Sequence, residues 1–189
     1  VLQPVLSNNV LLDETLTRSA QLGDNPTPES LLALVREDIP LKSKQTLVVR
    51  KLLSEILAWP DHPYDSSRRK QLLLCITGEG STGKTQIPKA IEASLAFLGQ
   101  KHEIILTAPT GAAADNLGGN TYHTSLGMNL SYKTAVTARV RKLWARKTIL
   151  VVDEMSMIDL KTLNIINNQC KIARSLPRSS PGLLVAFPS

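Results

Sequence analysis

Gly78-Glu79-Gly80-Ser81-Thr82-Gly83-Lys84-Thr85 fits G-x-x-x-x-G-K-[ST] at every defined position, and few folds can present such an octet. Its glycines let the backbone curl so that successive N–H groups point inward at a phosphate chain. Lys84 then supplies a cation to the β- and γ-phosphates, and the Thr85 hydroxyl is a ligand for Mg²⁺. The preceding Gln71-Leu72-Leu73-Leu74-Cys75-Ile76-Thr77 reads as a buried strand running into the loop. The segment after Lys84 reads as a helix whose N-terminal dipole favours a bound anion. A glycine-rich turn that happens to carry a lysine is the bland alternative, and the flanking strand and helix weigh against it. The octet predicts a phosphate loop.

Strands alternating with helices are expected around it. One strand is predicted over 103–108 and another over 148–152, both nearly unbroken apolar runs, which argues for a parallel sheet covered on both faces. In such sheets ligands sit at the carboxyl ends of the strands. The loop's helix is predicted to run to about Leu98 with Gly99 as its stop, and Pro88 inside it predicts a kink or a shifted start. Before the loop, 30–38 reads as a short helix. A stronger one begins near Ser43, with Leu47, Val48, Leu52, Leu53, Ile56 and Leu57 on one side, and ends at Trp59-Pro60. Residues 61–70 read as a polar connection.

At 189 residues with 42% hydrophobic and 4% aromatic content, the chain holds one domain whose core must come from Leu, Ile, Val and Ala. The net charge of +6 tilts toward a polyanionic partner. Cys75 and Cys170 form no metal-binding or disulfide pattern, and Cys75 reads as a small buried apolar residue. No apolar run approaches a membrane span and no signal-peptide pattern opens the sequence, so no membrane partner is expected. Val1 rather than Met stands first, so translation is expected to start upstream.

Asp153-Glu154 ends the predicted strand at 148–152. An aspartate there can hold Mg²⁺ opposite the Thr85 hydroxyl, and the adjacent glutamate can orient and deprotonate an attacking water. Two acids capping a strand before a helix would look the same in isolation; the upstream octet favours the catalytic reading. Gln45 carries an amide able to read an adenine edge, against the default of a solvated helix-start glutamine. The basic stretch from Arg139 to Lys147 fits either a nucleic-acid surface or, more commonly, a helix with its apolar face packed and its basic face solvated.

Leu106-Thr107-Ala108-Pro109-Thr110-Gly111-Ala112-Ala113-Ala114 and Gly118-Gly119-Asn120-Thr121-Tyr122-His123-Thr124-Ser125-Leu126-Gly127 narrow the class. With the octet and Val151-Val152-Asp153-Glu154-Met155-Ser156-Met157-Ile158-Asp159, they closely resemble the Pif-type DNA helicases, which move 5′ to 3′ and belong to superfamily one. Within that family the chain looks most like the helicase portion of Helitron-type transposon proteins and their fungal relatives. The resemblance implies a three-layer, RecA-like α/β domain with a mostly parallel sheet, truncated before its last strands. It divides the chain into a lead-in over 1–40, loosely ordered or helical, the first RecA-like helicase domain over 41–174, and an irregular, truncated tail over 175–189. It implies ATP held by Gln45 and by Gly78, Glu79, Gly80, Ser81, Thr82, Gly83, Lys84 and Thr85, Mg²⁺ on Thr85 and Asp153, and catalysis through Lys84 and Glu154. Thr110, Gly111 and His123 would meet single-stranded DNA. Lys42 stands where the family's adenine-sensing motif usually has asparagine.

The expected activity is ATP-dependent DNA unwinding, with roles in repair, recombination and telomere maintenance, and a nuclear location with the mitochondrion as second choice. The family's γ-phosphate-sensing segment, Gly-Asp-x-x-Gln-x-Pro-Pro, and its second domain are not visible in this sequence. The alternative is therefore a non-catalytic remnant that at most binds nucleotide or single-stranded DNA.

Overall fold

The computed structural model describes residues 17–58, 72–79, 82–128, 136–173 and 184–188. Within these, a five-stranded, all-parallel sheet runs in the order β1 (Leu73–Ile76), β5 (Leu184–Pro188), β4 (Ile149–Val152), β2 (Ile104–Ala108), β3 (Asn120–Thr121). The helices are α1 (Pro28–Asp38), α2 (Ser43–Leu57), α3 (Gln86–Phe97), α4 (Gly111–Leu117), α5 (Tyr122–Leu126), α6 (Ala138–Trp144) and α7 (Leu160–Ala173).

Alternation along the buried strands divides the core in two. Ile104, Leu106, Ile149 and Val151 point to one face, where they join Leu31 and Val35 of α1, Leu52 and Leu53 of α2, and Ile87, Ile91 and Leu95 of α3. Ile105, Leu150 and Val152 point to the other, against Tyr122 and Leu126 of α5, Val140 and Trp144 of α6, and Ile166 and Cys170 of α7. Trp144 is completely buried, and its indole N–H donates to the Ser125 carbonyl at 2.7 Å. The basic stretch thus takes its commoner form, since Val140 and Trp144 pack inward while Arg139, Arg141 and Lys142 lie exposed.

Several expectations are corrected. The tail at 175–189 is not irregular throughout, because Leu184–Pro188 forms β5, inserted between β1 and β4. Within the lead-in, the short helix read over 30–38 is α1, and it joins the core. Thr27 and Ser30 close a reciprocal capping box at its start, and Leu31, Leu32, Leu34 and Val35 are buried. On α2 the buried face is Thr46, Val49, Leu52, Leu53 and Ile56, a helical spacing that leaves Leu47 60% exposed. Cys75 is exposed with Leu73, because β1 is an edge strand that turns only Leu74 and Ile76 toward the core. Of the two outcomes expected at Pro88, the shifted start is found: Pro88 falls at the third position of α3, where its missing N–H costs nothing. The connection at 61–70 lies outside the described residues.

Candidate functional site

The carboxyl end of β1 delivers Thr77, Gly78 and Glu79 to the surface, and Thr85 stands at the N-cap of α3. Between them the chain curls through Gly83, whose φ of +80° suits glycine and few other residues. The Thr82 hydroxyl donates to the Glu79 carbonyl at 2.8 Å, and Lys84 Nζ donates to the carbonyls of Gly78 at 2.6 Å and Glu79 at 3.1 Å. The lysine therefore arches back over its own loop. Gly80 and Ser81 lie outside the described residues.

β4 brings Asp153 to the same end of the sheet, where its backbone N–H donates to the Thr107 carbonyl at 2.8 Å and extends the ladder by one step. Glu154 then takes φ +53°, the one positive φ outside glycine among the described residues. Such a conformation costs about 1–2 kcal/mol and recurs at functional turns. It directs the Glu154 N–H onto Asp153 Oδ1 at 3.0 Å and leaves the glutamate exposed. Burial raises the Asp153 carboxyl above its ordinary pKa. The Glu154 N–H pulls it back down, the Glu154 charge pushes it up, and the Lys84 charge draws it down. The phosphate loop follows β1 and Asp153 follows β4, so the parallel sheet carries both motifs to its carboxyl end.

The raised pKa gives a testable sign. Above it the folded state bears a charged, poorly solvated carboxylate, so stability contributed by the neutral form is present at low pH and lost as pH rises through the raised value. Asp153→Asn keeps the acceptor for the Glu154 N–H and removes the charge. In nucleotide-free protein it is expected to raise the thermal midpoint at pH 7, with the gain over wild type shrinking as pH falls toward the ordinary aspartate value near about 3.9. A difference that grows on acidification would contradict the burial argument.

Gln45 is placed otherwise than the sequence suggests. Its amide is turned into the loop, with Nε2 donating to the carbonyls of Thr82 at 3.1 Å and Gly83 at 2.9 Å while Oε1 accepts from the Lys42 N–H at 2.7 Å. In this arrangement the amide faces the phosphate loop.

Thr110, Gly111 and His123 gather beyond the carboxyl ends of β2 and β3, whose register pairs Thr107 with Asn120 and Ala108 with Thr121. Thr110 is exposed and caps α4, its hydroxyl accepting from the Ala113 N–H at 3.3 Å, so removing it costs about 1 kcal/mol of stability whatever else it does. Gly111 has open space where a Cβ would stand, so no packing demand explains the glycine. His123 sits half-buried with its ring 4.1 Å from that of Tyr122. Sequence reasoning missed the special place of Gly119, where a Cβ would fall 2.2 Å from the Leu106 carbonyl oxygen. The doubled Gly118-Gly119 was the available signal.

The family model described as the AAA domain matches residues 65–176, more than half the chain. The chain belongs to the AAA domain family. It is similar to the ATP-dependent DNA helicase RRM3 of Saccharomyces cerevisiae, at 32% identity over 120 residues, covering 59% of this chain and 16% of that protein. It is also similar to the ATP-dependent DNA helicase PIF1 of Candida albicans, at 34% over 115 residues, covering 57% and 12%. For PIF1 of Homo sapiens the identity is 30% over 141 residues, covering 71% and 19%. The crystal structure of the Candida albicans Pif1 helicase superposes with a TM-score of 0.62 at 25% identity, covering 80% of this chain and 32% of that one. A Bacteroides Pif1 helicase in complex with ADP-AlF3 and ssDNA gives a TM-score of 0.59 at 19% identity over 80% and 32%, a likeness of fold. The chain spans less than a fifth of the length of these three curated relatives. The RecA-like α/β architecture expected from the sequence is the one these neighbours share.

Proposed function

We propose that residues 41–174 are the core of the first RecA-like unit of a Pif1-type ATP-dependent DNA helicase, and that this unit binds and hydrolyses ATP. One observation carries the proposal: the phosphate loop after β1 and the Asp153-Glu154 pair after β4 stand at the same carboxyl end of one parallel sheet. In this reading the loop's N–H groups and Lys84 hold the triphosphate, and Glu154 accepts a proton from the attacking water. Glu154 suits that part because its left-handed turn leaves the carboxylate exposed beside Asp153.

Mg²⁺ fits the donors present. The Thr85 hydroxyl and the Asp153 carboxylate are hard oxygen ligands, and a cation would relieve the burial that raises the Asp153 pKa. Among the described residues no group of three or more His, Cys, Asp or Glu gathers, as suits an ion held by one or two protein oxygens plus phosphates. When bound, the ion would neutralise charge on the β- and γ-phosphate oxygens. Thr110, Gly111 and His123 would present hydroxyl, backbone and imidazole to the sugar-phosphate chain of single-stranded DNA. Work in DNA repair and recombination, in the nucleus or secondarily the mitochondrion, follows from the same family reading. No helix in the described residues is long and apolar enough to cross a membrane.

The test is single-turnover ATP hydrolysis with and without a single-stranded oligonucleotide, in wild type and Glu154→Gln. Hydrolysis stimulated by DNA is expected, reduced by about 10²- to 10⁴-fold in the variant while ATP–Mg²⁺ binding is retained. Binding without turnover in the wild type would leave a nucleotide-binding remnant, and absence of binding would end the proposal. DNA affinity should fall steeply with salt, because backbone contacts dominate.

A further inference from the structure

We propose that Thr107 is a positioning residue for Asp153, holding the end of β4 through a buried hydroxyl so that the carboxylate is set in place for Mg²⁺. The inference rests on the nucleotide-binding reading above and adds to it a residue that touches neither nucleotide nor metal.

β2 is buried along its whole length, and Ile104, Ile105, Leu106 and Ala108 are apolar. Thr107 alone in that strand carries a polar side chain, and it is completely buried. Valine has the same branched shape and would need no partner, so packing does not call for the oxygen. A buried hydroxyl needs an acceptor. This one reaches across to the neighbouring strand and donates to the Val151 carbonyl of β4 at 2.8 Å.

The backbone of the same residue takes the next step. Its carbonyl accepts from the Asp153 N–H at 2.8 Å, where the register sets Thr107 beside Val152. The Val151 carbonyl belongs to the peptide unit joining 151 to 152, and the Asp153 N–H to the unit joining 152 to 153. Both rigid planes leading into Asp153 are therefore held by one residue.

Beyond Thr107 the ladder has no further donor to offer. In a parallel pair, alternate residues of a strand turn N–H and C=O toward the same neighbour. After Ile105 and Thr107 the next residue to face β4 is Pro109, which has no N–H. A rung is thus missing where Asp153 leaves the sheet and Glu154 turns to φ +53°. The hydroxyl adds a bond at the last place where β2 reaches β4, and so offsets that loss.

Two pairs of chains isolate the hydroxyl: wild type against Thr107→Val, alike in shape, and Thr107→Ser against Thr107→Ala, alike in lacking the methyl. Amide hydrogen exchange of the 189-residue chain without nucleotide reads Asp153 against Val151, one rung lower on the same ladder. The ratio of the Asp153 rate to the Val151 rate is expected to rise about three- to tenfold in Thr107→Val over wild type, and in Thr107→Ala over Thr107→Ser, for one lost hydrogen bond. ATP is then titrated calorimetrically with Mg²⁺ and with EDTA. Thr107→Val and Thr107→Ala should lose about three- to tenfold in affinity with Mg²⁺ and none with EDTA, because the phosphate loop follows β1 and not β4. Thr107→Ser should keep the Mg²⁺-dependent affinity of wild type. An unchanged exchange ratio would overturn the inference by showing that the hydroxyl does not hold Asp153. An equal loss of affinity with and without Mg²⁺ would overturn it in favour of a general packing role, as would a Thr107→Ser that behaves like Thr107→Ala. Wild-type protein that binds no ATP would remove the nucleotide site itself, a failure separable from the others because it precedes any substitution.

Discussion

Gly119→Ala is expected to prevent native folding, or to leave a chain whose thermal midpoint falls by 10 °C or more on the order of a loss above about 3 kcal/mol. The reason is space, because no positive φ is required at this position. A Cβ would lie 2.2 Å from the Leu106 carbonyl oxygen, 2.7 Å from its carbonyl carbon and 2.8 Å from its Cβ. Leu106 belongs to β2, which is bonded to β4 on one side and β3 on the other and is buried between two cores. Its backbone cannot retreat without opening a ladder. Gly111→Ala is the matched control, since nothing lies within 4 Å of a Cβ there and the residue opens a helix. That change should stay within about 0.5 kcal/mol of wild type. Equal midpoints for the two variants, read by circular dichroism, would show that β3 can move away from β2 at little cost.

Much of the candidate site is legible in the sequence because its chemistry lies at strand ends, and strand ends are marked by abrupt changes of residue type. Ile149-Leu150-Val151-Val152 passes into Asp153-Glu154, and the apolar run ending at Ile76 passes into the glycines. Each strand so marked is present in the sheet, to within a residue or two of its expected bounds. What the sequence does not reveal is lateral order. Leu184–Pro188 is short and follows Pro177 and Pro181, and its apolar run alone does not separate strand from coil; pairing with both β1 and β4 makes it a strand. Cys75 is exposed for the same reason, since an apolar run is buried on both faces only when its strand is central.

Side-chain destinations are less legible still. Gln45 reads in sequence as an adenine reader or a solvated helix start, and two of its three hydrogen bonds depend on a loop about forty residues away in the chain. The Gly118-to-Gly127 signature also does structural work that its DNA-side reading does not anticipate. Thr121 caps α5 through the Thr124 N–H at 3.3 Å, and Gly127 ends it at φ +61°, with Val140 Cγ2 2.8 Å from where a Cβ would stand. Motif residues can therefore be demanded by packing and by ligand at once. Substitutions meant to probe DNA contact at Thr110 also remove its cap, so a loss of affinity in Thr110→Ala is read against the accompanying loss of stability.

Lys84→Ala is expected to lower ATP–Mg²⁺ affinity by at least about a hundred-fold. A charge-assisted hydrogen bond contributes about 1.5–3 kcal/mol, and the lysine is proposed to serve two phosphates. Its present partners, the carbonyls of Gly78 and Glu79, show how the ammonium is held ready: it lies across the loop within reach of oxygen atoms that phosphate oxygens can replace. Those bonds are on the surface, so their loss should move the thermal midpoint little. The second readout lies across the sheet. Lys84 lowers the Asp153 pKa, so removing its charge should let that carboxyl titrate higher than in wild type, measured by the pH dependence of its side-chain carbon resonance. Unaltered affinity would mean that the loop's backbone alone holds the triphosphate. An unaltered Asp153 titration would mean that the phosphate loop and the acidic strand end do not act as one site, and the proposed assignment of Mg²⁺ to Thr85 and Asp153 would fall with it.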